Sequence, residues 1–194
     1  IPLALTPIQV LAIDMGTDSF TALGLGVEKP DPRVMHRPPR PRDERLMNWP
    51  LALRAYLVLG PIEAAGAMAA FFFVLYTGGW TYSQHLATQD PLYLQATTAC
   101  LSAIIVMQIM NVFLCRSVTR SAFSTGVFGN RLILWGVGFN IALILLIDYT
   151  PWGNFILGTA PIAGAVWLFI LPFGGGMLIL DELRKWFARK HSLQ

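Results

Sequence analysis

Five long apolar runs, separated by polar segments, dominate the hydrophobic pattern of this chain. Each run is close to or above the length of about 20 mostly apolar residues with which a helix crosses a bilayer. The pattern therefore predicts an all-α membrane protein, a single domain over residues 1–194 built as a bundle of about five transmembrane helices. The predicted spans cover about residues 4–27, 50–78, 93–115, 132–148 and 161–180.

The basic residues between these runs predict how the bundle is oriented. The chain has 14 Lys and Arg residues. Seven lie around the first loop (29–54), three around the third (116–131) and four in the tail (184–190), while the second and fourth loops contain none. With five spans these groups fall on one side, which the positive-inside rule assigns to the cytosol. We therefore expect the N-terminus outside and the C-terminus in the cytosol.

The composition supports a membrane protein and bears on which partners it binds. Hydrophobic residues make up 55% of the chain and charged residues 13%, about half the roughly 25% of an ordinary soluble domain. The pI of about 9.1 is typical of proteins that bind nucleic acid, but the basic residues here are confined to the segments between apolar runs. That one-sided distribution argues against nucleic acid as a partner and against a soluble helical enzyme.

Because the first Met, Met15, falls inside an apolar run, we expect the chain to be cut from a longer protein.

Two carboxylates interrupt the first apolar run, at Asp14 and Asp18. An acidic side chain near the bilayer centre costs roughly 2.5–3.5 kcal/mol on insertion scales, and such residues are functional candidates by default. At a spacing of four residues both face the same side of a helix. Gly16 and Thr17 between them favour a locally unwound helix, which would add backbone carbonyls to the carboxylates as ligands for a hard cation. The alternative is a buried structural network with a partner on another helix.

Three further polar residues lie inside predicted spans and allow two interpretations each. Gln108 and Asn111, three residues apart, share a helix face and can serve either as cation ligands or as hydrogen-bonding groups between helices. Glu63 follows Pro61, which is expected to kink its helix. Glu63 could line a cation path, but a structural role within the bundle is the preferred interpretation.

The segment Ile-Asp-Met-Gly-Thr-Asp, ending at Asp18, resembles the sixth transmembrane helix of type II P-type cation ATPases. Residues 28–45 look like the cytosolic loop that follows that helix, and Gln108-Ile-Met-Asn111 lies where the eighth helix contributes polar groups to the ion site. Residues 181–185, Asp-Glu-Leu-Arg-Lys, are similar to the end of the tenth helix. The resemblance covers essentially the whole chain and implies the C-terminal membrane region, helices six to ten.

This resemblance implies a set of cation ligands: Asp14, Thr17 and Asp18, with Gln108 and Asn111 as further candidates. The transported cation stays open, with sodium, potassium, calcium and protons as candidates. Asp14 resembles the sodium/potassium and proton/potassium branch, because the calcium pumps carry Asn there. Asn140 lies near the position of an acidic residue linked to the third sodium of the sodium pump, so its neutral amide puts a third ion site in doubt.

The resemblance also implies partners that the chain does not contain. The first is the lipid bilayer, which the resemblance implies is the plasma membrane. The second is the N-terminal half of the same ATPase, with helices one to five and the cytosolic domains. In the family, phosphorylation of a cytosolic Asp switches the ion site between inward- and outward-facing forms, so Mg²⁺ and ATP act only in the full-length pump.

The chain has no Asp-Lys-Thr-Gly phosphorylation sequence, no Gly-rich nucleotide loop and no nucleophile with a base partner. We therefore expect no catalytic residue in it and no ATP hydrolysis by this chain alone. The competing interpretation is a stand-alone, non-catalytic membrane module that binds cations, or a scaffold that assembles with a separately made ATPase half.

Overall fold

A computed structural model of the chain describes residues 2–28, 30, 35, 49–117, 121 and 126–191. Within these residues the regular structure is helical throughout. Eight α-helices are present: α1 (Pro7–Leu11), α2 (Ser19–Gly26), α3 (Trp49–Leu53), α4 (Gly60–Thr77), α5 (Pro91–Cys115), α6 (Arg131–Tyr149), α7 (Pro151–Leu157) and α8 (Gly164–His191). Two π-helical segments, Ala12–Asp18 and Arg54–Leu59, and a short 3₁₀ turn, Val127–Gly129, complete the described part.

The two π-helical segments join shorter helices into longer ones. The first connects α1 to α2, so that residues 7–26 form one continuous helix, here called the N-terminal helix. The second connects α3 to α4 and ends just before Pro61. Proline has no N–H to donate and leaves a carbonyl of the preceding turn without its usual partner. A local π-helical adjustment is one way in which a helix accommodates such a residue.

Four helices of the described part are long and apolar enough to cross a membrane. They are Trp49–Thr77, Pro91–Cys115, Arg131–Tyr149 and Gly164–Phe187. This finding confirms an all-α membrane fold. The N-terminal helix is not among the four, because Asp14 and Asp18 make it less apolar than the others. The assignment of residues 4–27 as a fifth span therefore stays a prediction, and so does the orientation of both termini.

The centre of the bundle is formed where α4, α5 and α8 pack together. Small side chains on α4 and α5 allow the helix backbones to approach closely, the usual basis of packing between membrane helices. Gly66 packs so tightly that an added Cβ would lie 2.9 Å from the Met107 Sδ atom. The main core residues are Ala67, Ala70, Phe71, Leu75, Ala96, Ala99, Ala103, Met107 and Ile170.

Polar contacts close the bundle at two opposite ends. At one end the Arg116 guanidinium, just after α5, forms an ion pair with Glu28 at 2.8 Å. At the other end Gln95 donates a hydrogen bond to the Pro161 carbonyl at 3.2 Å, and the Thr98 hydroxyl accepts one from the Ala160 N–H at 2.9 Å. Glu28 before the first basic loop and Arg116 at the start of the third therefore lie at the same end of the bundle. Most of the first loop, residues 29, 31–34 and 36–48, lies outside the described residues.

Candidate cation site

The N-terminal helix places the carboxylate pair on its π-helical segment. Asp14, Thr17 and Asp18 all lie within Ala12–Asp18, where the helix departs from α geometry near Gly16 as predicted but only as far as wider, π-helical turns, without a break in the helix. The Thr17 hydroxyl donates to the Ile13 carbonyl at 2.6 Å, a local bond that competes with the regular backbone ladder and often bends helices. π-Helical turns are rare and frequently mark functional sites.

Thr17 joins this segment to the middle of α5. Its side chain is buried, with 1% of its surface exposed, and its Oγ1 lies 3.0 Å from Gln108 Oε1. A hydroxyl carries one proton, so at any one time Thr17 donates either to Gln108 or to the Ile13 carbonyl. Two of the residues that the sequence put forward, 91 positions apart, are therefore in direct contact in the fold.

The two carboxylates point away from this contact. Asp14 and Asp18 are both exposed on the chain, and Met15 beside them is 69% exposed. The opposite side of the helix is packed: a Cβ on Gly16 would lie 3.1 Å from Leu143 Cδ2 of α6. Within the described part of the chain, no three His, Cys, Asp or Glu residues come together as a metal-binding group. The carboxylates of the described residues therefore do not by themselves form the shell of several oxygen ligands that a hard cation takes.

The two asparagine side chains that the sequence singled out, Asn111 of α5 and Asn140 of α6, differ in their surroundings. Asn111 is half-buried and its Oδ1 accepts a hydrogen bond from the Cys115 thiol at 3.5 Å. Asn140 is buried, with 1% of its surface exposed, and neither amide atom has a hydrogen-bond partner among the described residues. Polar groups buried in this way are rare in proteins and ask for an explanation.

Glu63 is a third acidic residue of the described part that lies inside a predicted span. It lies in the first turn of α4, just after the second π-helical segment, and is half-buried. Its carboxyl group lies within electrostatic range of that of Asp18, as that of Asp14 does. The available signal was an acid inside a predicted span. Three acidic side chains thus lie near one another in this part of the bundle.

This architecture defines a class: a helical membrane bundle whose N-terminal helix carries an acidic pair beside a polar contact. The comparisons identify the family within that class. The family model "Cation transporting ATPase, C-terminus" matches residues 2–187. The chain belongs to this family, and the resemblance to the C-terminal transmembrane region of type II P-type ATPases is confirmed.

Relatives of this chain include several pump subunits. It is 27% identical to sodium/potassium-transporting ATPase subunit alpha-3 of Gallus gallus over 220 residues, covering 98% of this chain and 21% of the relative. It is 29% identical to potassium-transporting ATPase alpha chain 1 of Xenopus laevis over 216 residues, with the same coverage. The human alpha-3 subunit is 27% identical with equal coverage. The chain therefore spans about a fifth of the length of these relatives.

Proposed function

We propose that this chain is the cation-translocating membrane part of an ATP-driven P-type pump. The observation that carries the proposal is the acidic pair on a π-helical segment, with Thr17 in contact with Gln108 at 3.0 Å. Carboxylate, hydroxyl and amide oxygens are the ligands that hard cations prefer. Membership of the cation transporting ATPase family supports the same function. Sodium, potassium, calcium and protons are the candidate cargoes.

In this proposal Asp14 and Asp18 are the charged ligands, Thr17 and Gln108 form the neutral side of the site, and Asn111 lies one turn further along α5. Both carboxylates are exposed on this chain, and an exposed pair of charges is not stable against lipid. The remaining ligands and the cover over the pair would come from the N-terminal half of the same pump. The full protein would reside in the plasma membrane and use Mg²⁺ and ATP through that half.

The test uses the full-length pump and the variants Asp14→Asn and Asp18→Asn, which keep the shape of the side chain and remove its charge. A hydrogen bond or contact to a charged group contributes roughly 1.5–3 kcal/mol, and 1.4 kcal/mol corresponds to tenfold. Titrations with NaCl, KCl and CaCl₂ should therefore show an increase of about tenfold to hundredfold in the cation concentration needed for phosphorylation from ATP. Phosphorylation from inorganic phosphate should persist and lose its sensitivity to the cation.

Asp90→Asn is the matched control. Asp90 caps α5 by accepting a hydrogen bond from the Leu92 N–H at 2.9 Å, and Asn is an equally good N-cap. This variant loses a carboxylate remote in sequence from the acidic pair and should behave as wild type. If both Asp→Asn variants of the pair respond to all three salts at unchanged concentrations, these carboxylates are not ligands and the proposal is wrong.

A further inference from the structure

A buried carboxyl group lies in the last turn of α6. Asp148 has 0% of its surface exposed, and its Oδ2 accepts a hydrogen bond from the Ser102 hydroxyl of α5 at 2.8 Å. Its Oδ1 is buried and has no hydrogen-bond partner among the described residues. An ionised carboxylate has about four lone-pair positions for donors, so this group has far fewer hydrogen bonds than a charged form requires.

The turn after α6 packs tightly against the end of that helix. α7 folds back on the end of α6, and just after α7 the Thr159 hydroxyl donates to the Ile147 carbonyl at 2.7 Å. Gly153 of α7 approaches so closely that an added Cβ would lie 2.6 Å from the Ile147 Cα atom. The backbone beside Asp148 is thus held by a tightly packed turn, in a part of the bundle where Asp148 itself is 0% exposed.

Within the described residues, no positive charge faces Asp148 from the helices that pack most closely against α6, which are α5, α7 and the N-terminal helix. α8 also contacts α6, where Trp167 donates a hydrogen bond to the Tyr149 hydroxyl, but its first cation, Arg184, lies near the far end of that helix. α5 and α7 contain no charged residue, and the titratable groups of α5 are Tyr93, Cys100 and Cys115, none of which carries a positive charge. The charged residues of the N-terminal helix are Asp14 and Asp18, both acidic. On α6 itself the one cation, Arg131, is at the other end of the helix.

We propose that Asp148 and Ser102 form a proton-binding site, separate from the pair at Asp14 and Asp18, in which Asp148 carries a proton on Oδ1. A buried carboxylate without a counter-charge is strongly unfavourable, and binding a proton removes that charge. The Ser102 hydroxyl then donates to the carbonyl oxygen of a neutral carboxylic acid. The ligand is a proton rather than a metal ion, because the described surroundings offer a single free carboxyl oxygen.

The test compares the infrared spectra of the wild-type and Asp148→Asn full-length pumps at neutral pH, as a difference spectrum between the two. Asp148→Asn replaces a neutral acid with a neutral amide of the same shape, so it should fold and should lose one carbonyl-stretching band of a protonated carboxyl group. Asp90→Asn is the control and should retain that band. If the wild-type and Asp148→Asn spectra superimpose in this region, or if the lost band is that of an ionised carboxylate, the proposal is wrong.

Ser102→Ala provides a second measurement that leaves Asp148 in place. Loss of the hydrogen bond to Oδ2 should shift the same band to higher wavenumber, because a carbonyl without a donor has a stiffer bond. An unshifted band would contradict the assignment even if Asp148→Asn failed to accumulate. The readout is spectroscopic and does not depend on cation transport, so its failure is distinguishable from failure of the proposed function.

Discussion

Asp181 binds three cationic side chains at one end of the bundle, and Asp181→Asn is expected to destabilise the protein strongly. Its side chain is 1% exposed. Arg54 donates two hydrogen bonds to its carboxylate, both of 3.1 Å, while Arg184 lies 2.8 Å from one carboxylate oxygen and Lys185 3.1 Å from the other. A single carboxylate therefore links the second π-helical segment to α8.

The size of the effect follows from the burial of the cations that would lose their partner. The side chains of Arg54 and Lys185 are 8% and 0% exposed. Both also donate to the Leu114 carbonyl near the end of α5, at 3.3 and 3.0 Å, and those bonds would remain. Breaking a buried ion pair by removing one partner costs roughly 3–5 kcal/mol, because it leaves an uncompensated charge. That is more than a hundredfold in the ratio of folded to unfolded protein, at about 1.4 kcal/mol per tenfold.

The assay is thermal unfolding of the purified full-length pump, followed by the loss of its monodisperse peak in size-exclusion chromatography. For a unit of about 200 residues unfolding on its own, 3–5 kcal/mol corresponds to a decrease of roughly 6–20 °C in melting temperature, and in a full-length pump, of which this chain spans about a fifth, the decrease should be smaller but in the same direction. Arg184→Gln is the control: its side chain is 32% exposed, and its loss leaves Asp181 with two buried cationic partners, Arg54 and Lys185, so no buried charge is left unpaired and the decrease should be clearly smaller. Equal melting temperatures for Asp181→Asn and Arg184→Gln would refute the reasoning.

Two further outcomes are expected. Gly153→Ala should destabilise the turn after α6 by roughly 1–3 kcal/mol, the usual cost of overpacking, because its Cβ would lie 2.6 Å from the backbone of α6. Gly138→Ala, where nothing lies within 4 Å, should not lower the melting temperature, and equal effects of the two changes would contradict the packing argument. Single cysteines placed at Gln84 and Asn154 should react with an impermeant reagent from outside, and one at Ser124 only after permeabilisation. The reverse pattern at any of the three would mean that the predicted orientation is wrong.

The sequence by itself determined the class of the molecule and most of its helical pattern. The positions of apolar runs are a local property, since the length of hydrocarbon that a helix must cross fixes how many apolar residues it needs. Helices Trp49–Thr77, Pro91–Cys115 and Arg131–Tyr149 therefore lie where continuous apolar runs predict them. The acidic pair was equally visible, because a charge inside an apolar run is conspicuous without any knowledge of its neighbours.

Local signals were weaker where backbone geometry depends on packing. Gly16 suggested an unwound helix, but its absent side chain makes room for Leu143 of α6 and the helix continues as π-helical turns. The segment Pro151–Leu157 was expected to be loop, yet it is the short helix α7, capped by the Thr150 hydroxyl at the Gly153 N–H. A Pro-Trp-Gly start is compatible with either structure until the turn is packed against α6.

Only the tertiary structure decided which polar groups meet. Thr17 and Gln108 are 91 residues apart, Ser102 and Asp148 are 46 apart, and Arg54 and Asp181 are 127 apart. Asp148 could have been noticed as an acid at the edge of a predicted span, but not its missing counter-charge. Hydropathy is a sum over neighbouring residues, whereas the free energy of a buried polar group depends on the partner brought to it by another helix. The sequence therefore located the charged groups, and the packing of the helices determined which of them are paired, which are exposed and which are buried alone.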